Sequence, residues 1–263
     1  MIRDCFVAPP GWSFMECDYN QLELRVAAML SGDPVMSAVF IADEDFHKRT
    51  AQLIAPVAWH TKPEDVTDEM RSQAKAANFG GMYGQGPLAL SKKLGISKDL
   101  AQRIQTAILG SFKGYAEWKK RTLARARASG ATETWWDGEA YRSRPLPGLY
   151  SPDDMVASRA MNGATNTPIQ GTGSEFCIAA VGEVEEWIRD DFVPAELIMA
   201  IHDSLLLLVK DTAIQECAYH IPRIMCSFNS GKVPLRADVK VGKTWGTMKK
   251  LEGKIHLPQR KDG

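Results

Sequence analysis

Residues 199–210 read MAIHDSLLLLVK. Two apolar runs, 197–201 and 205–209, each have the length of a strand, and His202, Asp203 and Ser204 stand between them. Burying an ionised carboxylate in such a run is costly unless it is paired or binds a cation. The three polar residues therefore either form a hairpin turn that reaches water or belong to a site that holds a cation. The stretch alone does not separate the two, and the rest of the chain has to.

Working outward, WSFMEC (12–17) has the pattern of a strand running into Asp18. A helix is predicted over 21–30, with Leu22, Val26, Met29 and Leu30 on one face and a stop at Ser31-Gly32-Asp33-Pro34. A helix over 34–54 follows, with Asp45 as its break. Thr67 is a good N-cap for a helix from 68 to about 78, and the glycines of GGMYGQG (80–86) predict an end, a bend or a close approach to another segment there. Ser97 caps a further helix to about 109, and 115–129 reads as a basic helix. Asp137-Gly138 within ATETWWDGEAYRSR (131–144) marks a hairpin. Residues 152–189 read as helical with a break at Asn166-Thr167-Pro168. The two strands around His202-Asp203 come next, then a helix over 211–229 and a strand over 235–241. Strands near both ends with a mostly helical insertion make an α+β order.

The chain has 263 residues, 44% hydrophobic and 24% charged, with zero formal net charge, a composition ordinary for a globular protein. Zero net charge argues against a general polyanion-binding tail, but charge is segregated locally. Residues 113–127 hold six Lys/Arg against Glu117, and residues 183–196 hold six acids against Arg189. Five scattered cysteines without CxxC spacing suggest a reducing compartment and neither a disulfide framework nor a zinc site. No stretch has the length and apolarity of a signal peptide or membrane span.

Asp18 ends its strand and Asp203 sits at a hairpin tip, 185 residues apart (203 − 18). Strands that distant can still be neighbours in an antiparallel sheet. Two carboxylates meeting there could hold two divalent ions ~3.5–4 Å apart. Between them, Arg71, Lys75 and Phe79 recur at i, i+4 and i+8, on one face of a helix. Two cations followed by an aromatic suit a polyphosphate with its sugar and base; a surface stripe ending in a core Phe would have the same spacing.

Taken together, DYNQLELR (18–25), RSQAKAANFGGMYG (71–84) and IHDS (201–204) resemble the three polymerase motifs of the family A DNA polymerases. DFHKRTA (45–51), NTPIQGTGSE (166–175) and VPLRADVKVGKTW (233–245) resemble the stretches around them, in the same order. The resemblance covers nearly the whole chain. It implies an antiparallel palm sheet with a mostly helical fingers insertion: palm over 1–33 and 151–263, fingers over 34–150. It also implies synthesis of DNA on a primer-template from deoxynucleoside triphosphates.

The resemblance further implies residue roles. Asp18 and Asp203 would be the carboxylates for two Mg2+ ions, with the Tyr19 backbone carbonyl a further ligand. Arg71, Lys75 and His47 would contact the triphosphate, and Lys75 would also protonate the leaving pyrophosphate. Phe79 would pack on the sugar, Tyr83 would sit by the templating pair, and Glu23 would exclude a 2′-hydroxyl. Gln21, Asn166 and Gln170 would face the nascent duplex, and His202 the primer terminus. On this reading, a hairpin tip interrupts the apolar run in order to present Asp203 to a metal.

Three departures from the family's pattern stand out. Ser204 occupies a position where the family usually has Glu, and Asn162 one where many members have Arg. The first motif begins at residue 18, which leaves no room ahead of it for thumb or exonuclease domains. The expectation is either a fragment of a longer polymerase or, favoured by the Met1 start, the C-terminal half of a split one, working with a separate N-terminal half that carries the thumb with or without an exonuclease. Its expected setting is the cytoplasm of a bacterial or virus-infected bacterial cell, away from membranes. A single-subunit RNA polymerase also shows HDS in its third motif, but Glu23 and its context argue against that. A non-catalytic DNA-binding subunit is disfavoured by the presence of Asp18, Lys75 and Asp203.

Overall fold

A computed structural model describes residues 2–82 and 84–251. In chain order the strands and α-helices are β1 (Trp12–Tyr19), α1 (Leu22–Ser31), α2 (Pro34–Ile41), α3 (Phe46–Ala58), α4 (Asp68–Met82), α5 (Pro87–Leu94), α6 (Lys98–Ser111) and α7 (Lys113–Ser129). There follow β2 (Ala131–Trp136), β3 (Glu139–Pro145), α8 (Asp154–Asp190), β4 (Ala195–Ile201), β5 (Ser204–Lys210), α9 (Ile214–Met225), β6 (Ala237–Gly242) and β7 (Lys249–Lys250). The fold is mixed, helical with an antiparallel sheet. Among the described residues no helix is long and apolar enough to cross a membrane.

The chain divides into two compact units. The first takes Met1–Glu23, Thr172–Ser230 and Pro234–Gly263. Its sheet has the order β4-β5-β1-β6-β7, every pair antiparallel. β5 is flanked on both sides and covered on both faces, with Leu205, Leu206, Leu207 and Val209 at most 1% exposed. That burial explains why its sequence is continuously apolar instead of alternating. β4 is an edge strand and is largely exposed along its length. α9 packs Cys217, Ala218, Ile221 and Met225 inward, and the later part of α8 adds Phe176, Cys177, Ala180 and Val184. The predicted helix over 211–229 is shorter at both ends, because a 3-10 turn occupies Asp211–Ala213 and the helix stops at Met225. The predicted strand over 235–241 begins later, at Ala237.

The second unit takes Leu24–Gly171 and Gly231–Val233. Asp33 organises its start. This buried carboxylate accepts from the amides of Val35 and Met36 at the head of α2, both at 3.0 Å, and from Tyr115 N–H at 3.1 Å. Three backbone donors offset the cost of burying its charge. Close approach here requires Gly114, since a Cβ would lie 2.8 Å from the Asp33 Cα. The predicted break at Asp45 is present: its side chain caps α3 by accepting from Lys48 N–H at 2.9 Å. Phe46 stacks between Phe40 and Phe112, with centroids 5.1 and 5.4 Å away, at the centre of the packed helices.

Two sequence expectations fail in this unit. α4 does not end near residue 78 but continues through Gly80 and Gly81 to Met82. Gly80 lets the Gln85 side chain approach the helix closely, as the glycines also allow, since a Cβ would meet the end of that side chain. α8 runs unbroken through Asn166-Thr167-Pro168. Pro168 has no N–H to give the carbonyl of Ala164 one turn earlier. Thr132 Oγ1 from β2 donates to that carbonyl at 2.9 Å instead, in a fully buried position. The vacancy in the helical ladder is thus filled from the neighbouring hairpin, whose two-residue loop is Asp137-Gly138, both with positive φ as the sequence predicts.

Candidate active site

In the sheet unit, strand pairing brings the two predicted metal carboxylates together. Asp18 lies directly opposite Ser204 in the β1–β5 ladder, and Tyr19 N–H donates to the Asp203 carbonyl at 3.0 Å. The carboxyl of Asp18 is held above the usual carboxylate range, first by partial burial and then by the charge of Asp203. Lys240 opposes this shift. Cys177 on α8 lies close enough to both carboxylates to feel their charge, and burial pushes its thiol up to about 12.

The turn itself is conformationally costly. His202, exposed at the tip, has φ +55°, a left-handed conformation that non-glycine residues seldom adopt. Ser204 is buried, and its hydroxyl donates to the Ile201 carbonyl at 3.0 Å, closing the hairpin. The departure from Glu thus leaves a side chain turned into the turn. The stretch MAIHDSLLLLVK is thus a hairpin, and its tip brings Asp203 beside the end of β1.

Tyr19 is a core residue, 3% exposed, with its hydroxyl donating to the Met225 carbonyl at 2.6 Å. Only its backbone is therefore available as a ligand. Gln21 begins α1 in the left-handed region, φ +54°, and its buried Oε1 has no partner among the described residues. Glu23 lies in the first turn of that helix.

Among the described residues no group of three or more His, Cys, Asp or Glu side chains is arranged to hold a metal ion by itself. Two adjacent carboxylates that raise each other's energy still make an oxygen donor set suited to a hard divalent cation. Such a cation commonly draws its remaining ligands from water and substrate phosphate.

In the helical unit, Arg71, Lys75 and Phe79 lie on α4 as the spacing predicts. Arg71 is held by Asp45, with Nη2 at 2.6 Å and Nε at 2.8 Å from Oδ2. Against partial burial, the Lys48 amide and then the Arg71 guanidinium hold the Asp45 carboxyl below its usual range. Lys75 is exposed and has no ion-pair partner among the described residues. His47 is buried, and its Nδ1 faces the Asn78 amide nitrogen at 3.2 Å, while that amide also donates to Thr50 Oγ1 at 3.1 Å. Burial lowers the His47 pKa to about 4, with the charges of Lys75 and Arg71 adding to the effect. The ring is therefore neutral at pH 7 and offers Nε2–H as a hydrogen-bond donor. Phe79 sits with its ring centroid 5.5 Å from that of His47.

Asn166, on α8, has a buried Oδ1 without a partner among the described residues. Gln170 is exposed one turn further on. Asn162 lies against Gly84, whose left-handed backbone and missing Cβ leave room for the carboxamide. The predicted role of Tyr83 lies outside the described residues.

Sequence reasoning missed Glu16, Lys240, Asp45 and Asn78. A signal existed for Glu16: it is a charged residue inside a buried strand, two positions before Asp18 and so on the same face. The sequence marks Asp45 as a helix break, not as the cap of α3 or the anchor of Arg71.

A family model described as DNA polymerase family A matches residues 1–247. DNA polymerase I of Pseudomonas aeruginosa is 32% identical over 244 residues, which are 93% of this chain and 26% of that protein. The thermostable DNA polymerase I of Thermus filiformis is 35% identical over 246 residues, 93% of this chain and 28% of that protein. Among solved structures, the POL domain of Pol1 from M. smegmatis, in complex with DNA primer-template and dNTP, matches with a TM-score of 0.82 and 31% identity. That match covers 93% of this chain and 42% of the other. The chain thus spans about a quarter of the length of the curated relatives it matches. On the length of the family match and the agreement in fold, this chain belongs to DNA polymerase family A.

Proposed function

We propose that this chain carries out template-directed DNA synthesis, transferring deoxynucleotides to a primer 3′-hydroxyl. The observation that carries the reading is the meeting of Asp18 and Asp203 at the end of β1, within a chain of this family. On this reading residues 1–33 and 151–263 form the palm and 34–150 the fingers.

Asp18, Asp203 and the Tyr19 carbonyl would hold two Mg2+ ions. Bound there, the ions would activate the attacking oxygen and steady charge on the leaving group. The chain's own residues do the rest by position and charge. Arg71 and Lys75 bind the triphosphate, with neutral His47 donating a hydrogen bond. Arg71 must first exchange Asp45 for phosphate. Lys75 gives its proton to the pyrophosphate as the new phosphodiester bond forms at the α-phosphorus. Phe79 supports the sugar, and Glu23 blocks a 2′-hydroxyl. The unpartnered carbonyl oxygens of Gln21 and Asn166 accept hydrogen bonds from the nascent duplex, Gln170 adds a contact, and His202 meets the primer terminus.

The proposal includes, as a partner, a separate chain that carries the thumb with or without an exonuclease. The bacterial relatives support action in the cytoplasm of a bacterial or virus-infected bacterial cell. Primer extension with labelled deoxy- and ribonucleotides, with and without the N-terminal portion of such a polymerase, tests the reading. Deoxynucleotide extension that depends on Asp18 and Asp203 is expected. Ribonucleotide preference, or primer-template binding without extension under every combination, would overturn it.

A further inference from the structure

One charged group at the carboxylate site has no role in the reading above. Lys240 lies on β6 directly opposite Glu16 of β1, while Asp18 lies opposite Asp238. Glu16, Asp18, Asp238 and Lys240 share one face of the sheet, since alternate residues of a strand point the same way. The Lys240 Nζ is 2.6 Å from Glu16 Oε1 and 3.5 Å from Asp18 Oδ2. One contact is a directly opposed cross-strand pair and the other a diagonal one. Glu16 is deeply placed, its side chain 11% exposed, whereas Lys240 retains 38%. Asp238 does not compete for the ammonium, being engaged by Lys250 Nζ at 2.9 Å and Asn20 Nδ2 at 3.2 Å.

Position and charge together define what this ammonium does. A cation 3.5 Å from a carboxylate oxygen subtracts from the negative potential that would draw a divalent ion to it. A lysine wholly committed to Asp18 would occupy the carboxylate. Buried Glu16 prevents this by taking the shorter, stronger contact and fixing the ammonium at a distance. We propose that Lys240, anchored by Glu16, is a positioning residue that fixes the Asp18 carboxylate and sets how tightly the site holds a divalent cation. The inference rests on the reading of Asp18 and Asp203 as the metal carboxylates.

The two halves of the pair then act in opposite directions. Removing the ammonium leaves the site more negative, and removing Glu16 releases the ammonium onto Asp18. A tie that merely joins β1 to β6 would make both substitutions destabilising and leave cation affinity alone.

The test is Mn2+ binding to the full chain, followed by electron paramagnetic resonance without DNA or nucleotide. Lys240→Met should tighten Mn2+ about tenfold, the scale of one unit charge at a partly exposed site. Glu16→Gln should weaken it several-fold. Lys240→Arg should behave as the wild type, and in primer extension the Mg2+ concentration giving half-maximal rate should shift in the same order. Lys240→Met leaves Glu16 buried and unpaired, so the sheet can fail to form. The Glu16→Gln/Lys240→Met double variant buries no unpaired charge and should return Mn2+ affinity to within about threefold of wild type, the cancellation that opposed effects require and a merely structural tie would not produce. Unchanged Mn2+ affinity in Glu16→Gln and the other single variants, with only lowered melting temperatures, would overturn the inference. Mn2+ affinity indifferent to Asp18→Asn would instead overturn the metal-carboxylate reading beneath it, and the two failures are told apart by that control.

Discussion

The amide of Tyr19 donates to the carbonyl of Asp203 across 3.0 Å, tying the end of β1 to the tip of the β4–β5 hairpin. This single bond extends the ladder by one residue beyond the Asp18–Ser204 pair. It thereby sets the Asp203 charge close enough to add to burial in making the Asp18 carboxyl harder to ionise. A fold that accepts such a repulsion retains it at a site where a cation would relieve it.

Asp18→Asn or Asp203→Asn should each lower primer extension by roughly a hundredfold or more, since positioning and charge supply most of phosphoryl-transfer catalysis. Asp18→Asn should also melt higher than the wild type at pH 7.5. The folded-state pKa of Asp18 is raised, so its contribution to stability is full below the ordinary value of 3.8 and lost as pH rises through the raised one. The advantage of the variant should therefore shrink as pH falls toward 3.8. A thermal scan across pH reads this directly, and a lower melting point at pH 7.5 would contradict it.

His47 has the opposite linkage. Its folded pKa, about 4, lies below the unfolded value of 6.5. The stability it contributes is complete above pH 6.5 and disappears as pH falls through 4, reaching about 3 kcal/mol in all. His47→Gln should flatten the stability–pH curve over that window. Denaturant midpoints measured between pH 7 and 4 decide it; an unchanged slope would place the acid sensitivity elsewhere.

Thr132→Val should destabilise the chain by about 1–3 kcal/mol, because it leaves the Ala164 carbonyl buried without a donor. Adding Pro168→Ala to that variant should recover most of the loss, since the new N–H can complete the helix from within. Urea denaturation of the three proteins separates this from simple loss of packing, which the second substitution would not repair.

Lys75→Ala should reduce both nucleotide affinity and the chemical step, with the rate falling by about a hundredfold if a proton donor is lost. DNA affinity should hardly move. Pre-steady-state nucleotide titration and a DNA-binding isotherm distinguish the outcomes. A collapse of DNA binding with intact nucleotide constants would assign α4 to the duplex instead.

Glu23→Ala should raise ribonucleotide incorporation more than it lowers deoxynucleotide use, by about ten- to a hundredfold in the ratio if one clash and one unpaired hydroxyl are removed. Phe79→Tyr should increase acceptance of dideoxynucleotides, its hydroxyl standing in for the missing 3′-OH. Competition between nucleotide pairs reads both. An unchanged ribo/deoxy ratio would move the gate away from Glu23.

Local pattern was enough wherever a residue's role depends on near neighbours in the chain. The break at Asp45, the Asp137-Gly138 loop and the shared face of Arg71, Lys75 and Phe79 all follow from spacing and intrinsic conformational preference. The failures came where a partner arrives from far away. Pro168 reads as a helix break until Thr132, on another element, satisfies the carbonyl it abandons. The glycines at 80 and 81 allow an end, a bend or a close approach, and only packing of Gly80 against the Gln85 side chain decides for the last.

The sequence by itself determined that MAIHDSLLLLVK is two strands and a polar tip, that the chain is α+β, and which motifs it carries. Those properties reside in periodicity and residue type, which need no partner to be read. Only the tertiary structure decided that Asp18 stands beside Asp203, that Arg71 is held by Asp45, and that His47 is neutral. It alone showed the Lys240 ammonium divided between Glu16 and Asp18. These are matters of strand register, burial and charge at a few ångströms. Such quantities exist only once distant segments are packed, because Coulomb energy and desolvation depend on separation and surroundings, not on order along the chain.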